Sequence, residues 1–155
     1  MNVLAYDPYV SKEALDAIER EGYARVEDLD ELVRRVDILS VHVPLTQKTR
    51  NLIDRRRLGL MKPGAFVVNF ARGGIVDEEA LYDALVQGRL AGAALDVFEE
   101  EPPRPDHPLL QLEQVILSPH CAFSTEDSRI KMSMVLAEGI EDVLEGRRPR
   151  FAVNL

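Results

Sequence analysis

Residues 65–97, AFVVNFARGGIVDEEALYDALVQGRLAGAALDV, read as one strand–helix–strand unit. Phe66-Val67-Val68-Asn69 is a short apolar run with β-branched residues at its centre, the pattern of a strand covered on both faces. From about Asp77 to Gln87 the period changes: Ala80, Leu81, Ala84 and Leu85 fall on one face of a helix, and Gly88 stops it. Ala93-Ala94-Leu95-Asp96-Val97 then reads as a second strand. A helix crossing between two such runs implies that the strands are parallel.

The same alternation extends in both directions. Val3-Leu4-Ala5-Tyr6 is a strand ending on Asp7 and Pro8, and Ser11 is placed to cap a helix over Lys12 to Glu21 that Gly22 closes. A shorter helix follows Asp28 to about Arg35, and Ile38 to Val43 is a strand stopped by Pro44. Asp54 caps a brief helix to Met61, ended by Lys62-Pro63-Gly64. Beyond the opening unit, Glu99 to Pro108 is acidic and proline-rich and reads as an extended loop, Val115-Ile116-Leu117 as a fifth strand, and Thr125 to Leu144 as the last helix before a basic Arg147-Arg148-Pro149-Arg150 tail. No internal repeat or low-complexity segment interrupts this order. Strands separated by helices give an α/β protein with a parallel sheet, whose sites lie at the carboxyl ends of the strands.

Composition narrows the function classes. The chain has 155 residues, 46% apolar and 30% charged, with a formal net charge of −8, so nucleic acid and anionic membrane surfaces are not expected as partners. No apolar run approaches the roughly 20 residues a membrane span requires. The first basic residue is Lys12, so a signal peptide, a charged leader followed by an apolar core, is not expected. A single cysteine, Cys121, excludes an internal disulfide and fits a reducing cytoplasm, the expected location; it is expected as a small packed residue rather than a nucleophile or metal ligand.

The polar residues of interest follow strands: His42-Val43-Pro44, Arg72-Gly73-Gly74, Asp96, and Ser118-Pro119-His120, with Glu101 in the loop between the last two strands. Each alone has a plainer reading. Arg72 in a glycine turn can bind surface acids, His120 can be a loop histidine, Glu101 can belong to a solvated acidic run, and Asp96 can cap a turn. Together they have a chemical logic. An arginine fork holds a carboxylate, a histidine moves the proton exchanged when a ketone becomes an alcohol, and a nearby carboxylate favours the protonated imidazole. These are the parts a hydride-transfer enzyme for 2-hydroxy acids needs.

NFARGGIVDEEALYDALVQGRLAGAALDVFEEEP, followed by VILSPH and preceded by HVPLTQKTRNLID, strongly resembles the D-isomer-specific 2-hydroxyacid dehydrogenases, a family that includes phosphoglycerate dehydrogenases, glyoxylate/hydroxypyruvate reductases, formate dehydrogenases and the C-terminal binding proteins. The resemblance implies a Rossmann-like parallel sheet with flanking helices, a partial NAD-binding domain over residues 1–145, and a tail, 146–155, of the kind that returns to a substrate domain. It implies Arg72 as the substrate-binding arginine, His120 as the acid/base and Glu101, directly before Pro102, as its tuning partner. Asp96 would face the nicotinamide carboxamide; Phe70, Arg72 and His120 would lie near the cofactor; and His42, Pro44 and Thr49 would line its adenine and ribose side. Asp7 corresponds to the acid that takes the adenosine ribose hydroxyls, which favours NAD over NADP because a 2′-phosphate would meet a negative charge. The chain departs from the family at Phe70, usually a small residue, and at Ala122-Phe123-Ser124, where many members have two glycines and the C-terminal binding proteins a similar variant.

Only Met1 to Tyr6 precede Asp7, whereas the glycine loop G-x-G-x-x-G lies about 20 residues before that acid in this fold. The sequence is therefore expected to lack the first strand, the glycine loop that cradles a pyrophosphate, and the first helix. In the strand order 3-2-1-4-5-6 the missing strand is central. The strands at Val3 and Ile38 must then pair directly, or the Val3 unit detach, or another polypeptide supply the strand. Poor NAD binding by the isolated chain, with oligomerisation or complementation by an amino-terminal fragment, is expected. Two functions follow: the catalytic portion of an NAD-dependent D-2-hydroxyacid dehydrogenase acting on a 2-hydroxy or 2-keto acid, or a non-catalytic relative acting through protein contacts. No metal is expected.

Overall fold

The computed structural model describes residues 1–11, 13–14 and 23–153. They fall into two compact units, Met1–His120 and Cys121–Leu155. In the first, β1 (Val3–Ala5) and β2 (Tyr23–Arg25) form a parallel pair with Val3 opposite Tyr23. The remaining strands are β3 (Ile38–Val41), β4 (Ala65–Asn69), β5 (Leu90–Leu95) and β6 (Val115–Leu117), a parallel sheet in that spatial order. Between them run α1 (Leu29–Arg35), α2 (Arg55–Leu60), α3 (Glu78–Val86) and a 3-10 turn at Pro108–Gln111. The architecture is the expected α/β parallel sheet.

The helices begin where the sequence supplies a cap. Asp28, Asp54 and Asp77 each accept a backbone N–H three residues on, at 2.7, 2.9 and 2.9 Å. The Ser11 hydroxyl accepts the Ala14 N–H at 3.3 Å, as an N-cap would, although most of the helix expected after it lies outside the described residues. Arg89 closes α2 by donating to the Met61 carbonyl at 3.1 Å, a cation at a helix C-terminus. The expected apolar face of α3, Ala80, Leu81, Ala84 and Leu85, is buried and meets Val33, Ile53, Leu58, Val67, Ile75 and Leu109 in one core.

Several details differ from the sequence reading: β3 ends at Val41, two residues before the expected Val43, and β4 is not covered on both faces, since Phe66 is exposed. Strand β2 was not expected: its three residues are all exposed, and backbone pairing with β1 makes it a strand. Strand β5 starts three residues before Ala93 because Leu90 pairs with Ala65, and it ends at Leu95 as the chain turns at Asp96. Strands β1 and β3 do not pair; β1 takes β2 as its neighbour, and β3 pairs with β4. Leu4 and Tyr6 nevertheless pack against the core, so the β1 segment stays attached.

The second unit holds α4 (Glu126–Leu144), capped by Thr125, whose hydroxyl accepts the Ser128 N–H at 3.1 Å. None of its residues is buried. Cys121, expected to be packed, is exposed, because it falls in the turn after β6 and not on a buried strand.

The parallel register sets up everything beyond the core. Val41 pairs with Asn69, Asn69 with Leu95, and Leu95 with Leu117. The four strands thus end level with one another, and the residues that follow them emerge along one edge of the sheet.

Leu81 is fully buried and Ile116 is 74% exposed. Leu81→Ala is expected to cost about 3 kcal/mol of stability and Ile116→Ala under about 0.5 kcal/mol, measured by urea unfolding. Equal losses at the two positions would contradict the assignment of the core.

Candidate functional site

Asn69, the last residue of β4, is buried and holds the turn after it. Its Nδ2 donates to the Arg72 carbonyl at 2.9 Å, and its Oδ1 accepts the Ala71 N–H at 3.1 Å. Its own carbonyl accepts the Asp96 N–H at 3.1 Å, and the Asp96 carbonyl accepts the His120 N–H at 2.8 Å. One run of backbone bonds therefore joins the turns after β4, β5 and β6. Asp96 is 2% exposed, and its carboxylate accepts the Ser118 hydroxyl at 2.5 Å, bracing the Ser118–His120 turn from within.

The Arg72-Gly73-Gly74 turn packs directly on the loop after Asp96. A Cβ on Gly73 would lie 1.8 Å from the Phe98 carbonyl oxygen, so only glycine permits this approach. Gly74 sits at φ +75°. Behind the turn, Asn51 N–H donates to Gly74 O at 2.7 Å and Ile53 N–H to Ile75 O at 3.1 Å, tying it to the segment before α2. Arg50 of that segment forms an ion pair with Glu99.

Glu101 and His120 meet on this platform. His120 Nδ1 lies 2.8 Å from Glu101 Oε2, while Glu101 Oε1 accepts the Phe98 N–H at 3.0 Å. The hydrogen bond from His120, followed by that from Phe98, holds the Glu101 carboxyl below its ordinary range. An ionised carboxylate only accepts, so the hydrogen lies on Nδ1 and proton exchange falls to Nε2. His120 adopts φ 51°, an uncommon left-handed conformation for a residue other than glycine, which its N–H bond to Asp96 helps to hold.

Arg72 is exposed on the same turn, and its Nη1 donates to the Ala71 carbonyl at 2.6 Å. No acidic side chain among the described residues pairs with it, which leaves its charge available to an anion. The sequence-derived residues thus separate into groups. Arg72, Asp96, Glu101 and His120 are joined through bonded turns. His42 bonds Ser40 (Nε2 to Oγ, 2.8 Å), and the Thr49 hydroxyl donates to Pro44 O at 2.6 Å, shaping a separate turn after β3. Phe70 is exposed directly after β4. Asp7 stands exposed after β1, where its Oδ1 accepts the Tyr9 N–H at 2.8 Å. Asp96 is buried at the end of β5, and its carboxylate supports the His120 turn through Ser118.

Asn69 and Ser118 were not singled out from the sequence as site residues. A polar residue closing an apolar strand was the available signal in each case. Among the described residues no cluster of His, Cys, Asp and Glu suits a metal ion, and no helix is long and apolar enough to cross a membrane.

The parallel sheet, its flanking helices and the polar turns gathered at the strands' carboxyl ends define a Rossmann-like nucleotide-binding domain. The chain belongs to the family described as D-isomer specific 2-hydroxyacid dehydrogenase, NAD binding domain, which its residues 1–122 match. Over all 155 residues it is 48% identical to the D-3-phosphoglycerate dehydrogenase of Methanocaldococcus jannaschii, of which it spans 29%. It is 47% identical over 146 residues to the glyoxylate reductase of Aeropyrum pernix, covering 94% of this chain and 44% of that protein. The NAD-complexed D-isomer specific 2-hydroxyacid dehydrogenase of Lactobacillus delbrueckii ssp. bulgaricus superposes with a TM-score of 0.84 at 31% identity, over 99% of this chain and 48% of that one. The chain therefore spans less than half the length of each of these relatives.

Two outcomes test the site. Gly73→Ala forces the Arg72 turn away from Phe98 and is expected to cost about 1–3 kcal/mol in urea unfolding; wild-type stability would show that the close approach does not exist. Glu101 titrates lower in the folded chain than its ordinary value of 4.5, so the stability it contributes is complete above that pH and is lost as pH falls through its folded titration. Thermal melts should show Glu101→Gln less stable than the parent at pH 7, with the gap closing below pH 4.5. A gap that is constant with pH would remove the ionised pair.

Proposed function

We propose that this chain supplies the proton-transfer and carboxylate-binding groups of an NAD-dependent D-2-hydroxyacid dehydrogenase. The observation that carries the reading is the 2.8 Å His120–Glu101 pair, on turns bonded to the one bearing Arg72. In this reading Arg72 holds the substrate carboxylate with its planar donors. His120 gives its Nε2 proton to the keto oxygen in the reductive direction and takes it back in the other. Glu101 keeps the ring's hydrogen on Nδ1, which leaves Nε2 to face the substrate. Asp96 and Ser118 hold the His120 turn.

The residues fit a dinucleotide along the carboxyl ends of the strands. Asp7 offers an exposed carboxylate to ribose hydroxyls; His42, Pro44 and Thr49 form the turn on the adenosine side; and Phe70 lies on the side of Arg72 and His120. The nicotinamide, when bound, carries the hydride. The Asp7 charge favours NADH over NADPH. The substrate class, a 2-hydroxy or 2-keto acid, follows from the arginine and from what the relatives are named for.

The test is NADH oxidation with glyoxylate, hydroxypyruvate and pyruvate. The chain is assayed alone and supplemented with the amino-terminal part of the Aeropyrum pernix relative. Turnover is expected in the supplemented reaction, falling about 10²–10⁴-fold with His120→Ala, and Asp7→Ala is expected to narrow the preference for NADH. No turnover in either reaction, or a His120→Ala variant equal to the parent, would favour a relative that acts through protein contacts.

A further inference from the structure

Beneath the loop that carries Glu101 lies a second carboxylate–imidazole pair. Glu78 opens α3, and His107 precedes the 3-10 turn; their side chains are only 16% and 19% exposed. Glu78 Oε1 accepts the Glu99 N–H at 2.6 Å, and Oε2 lies 3.1 Å from His107 Nε2. The Leu109 N–H donates to His107 Nδ1 at 3.3 Å, which makes Nδ1 the acceptor and places the ring hydrogen on Nε2, directed at Glu78. The His107 ring meets Phe98 edge-on, with centroids 5.3 Å apart and planes at 79°.

These contacts converge on residues 98 and 99, the backbone that leads into Glu101. Glu99 is held by Glu78. Phe98 is held by the His107 ring and the Gly73 contact, and donates its own N–H to Glu101. A glutamate in the first turn of a helix has a plainer use, complementing the helix dipole. Glu79 is exposed and free for that use, whereas both Glu78 oxygens turn away to other segments. Burial pushes the Glu78 carboxyl up, a cost that only the bonds it makes offset.

We propose that Glu78 and His107 are positioning residues for the Glu101–His120 pair, fixing the Phe98–Glu99 backbone so that Glu101 meets His120 Nδ1. The geometric effect stands on these contacts alone; its consequence for turnover rests on the dehydrogenase reading above.

The experiment is NMR on the labelled 155-residue chain. It follows the His120 Nδ1–H proton, assigned by its loss in His120→Asn, and the Glu101 carboxyl carbon through a pH titration. Glu79→Ala should leave both unchanged. Glu78→Ala and His107→Asn should abolish the proton signal and move the Glu101 midpoint up toward 4.5. Glu78→Gln, which keeps an acceptor for the Glu99 N–H, should retain part of both effects. Where Glu78→Ala does not fold, Glu78→Gln and His107→Asn decide on the same readouts. Folded variants with an unaltered proton signal and Glu101 midpoint would overturn the proposal and leave Glu78 and His107 a purely structural pair. Loss of the signal in a chain that never turns over substrate would support the positioning role and reject only the enzymatic reading.

Discussion

The level ending of four parallel strands is the constraint on which the rest of the structure depends. Val41, Asn69, Leu95 and Leu117 form one row across the sheet, so each following turn starts at the same height. Backbone groups leaving a sheet must still find partners, and here they find one another. Asn69 accepts from Asp96, and Asp96 accepts from His120. A histidine far along the chain from Arg72 is thereby placed on the same edge without any direct contact between the two side chains.

Close packing of two loops supplies the next level of order. Gly73 lets the Arg72 turn lie against Phe98, and the same loop bends back so that the Phe98 N–H and His120 both serve Glu101. The electrostatics follow from that geometry. Glu101 accepts two hydrogen bonds and is held ionised, Glu78 is part-buried and shifts the other way, and Arg72 pairs with no acid among the described residues.

Much of this was legible in the sequence, and the reasons differ by element. The strands at Ile38, Ala65 and Val115 and the buried face of α3 follow from apolar periodicity, because their burial is a property of their own residues. Asp28, Asp54 and Asp77 announce their helices because capping is local. Arg72, Glu101 and His120 were reached through motif resemblance, and His120 and Glu101 meet directly in the fold. Strand β2 was not legible, since Tyr23–Arg25 is exposed and becomes a strand only through β1. Ser118, Glu78 and His107 were missed for a related reason: each acts on a segment distant in sequence, and nothing in its immediate neighbours marks that partner.

The central claim is that the turns at the strands' carboxyl ends form one dinucleotide-facing edge. Its most direct test is to titrate NADH into the labelled chain and map the amide shift changes. The account predicts changes concentrated at Asp7, the Pro44–Thr49 turn, Phe70, Asp96 and His120, with α2 and the amino ends of β3 to β6 unaffected. Changes confined to those amino ends, or none at millimolar NADH once the amino-terminal part of the Aeropyrum pernix relative is added, would contradict it.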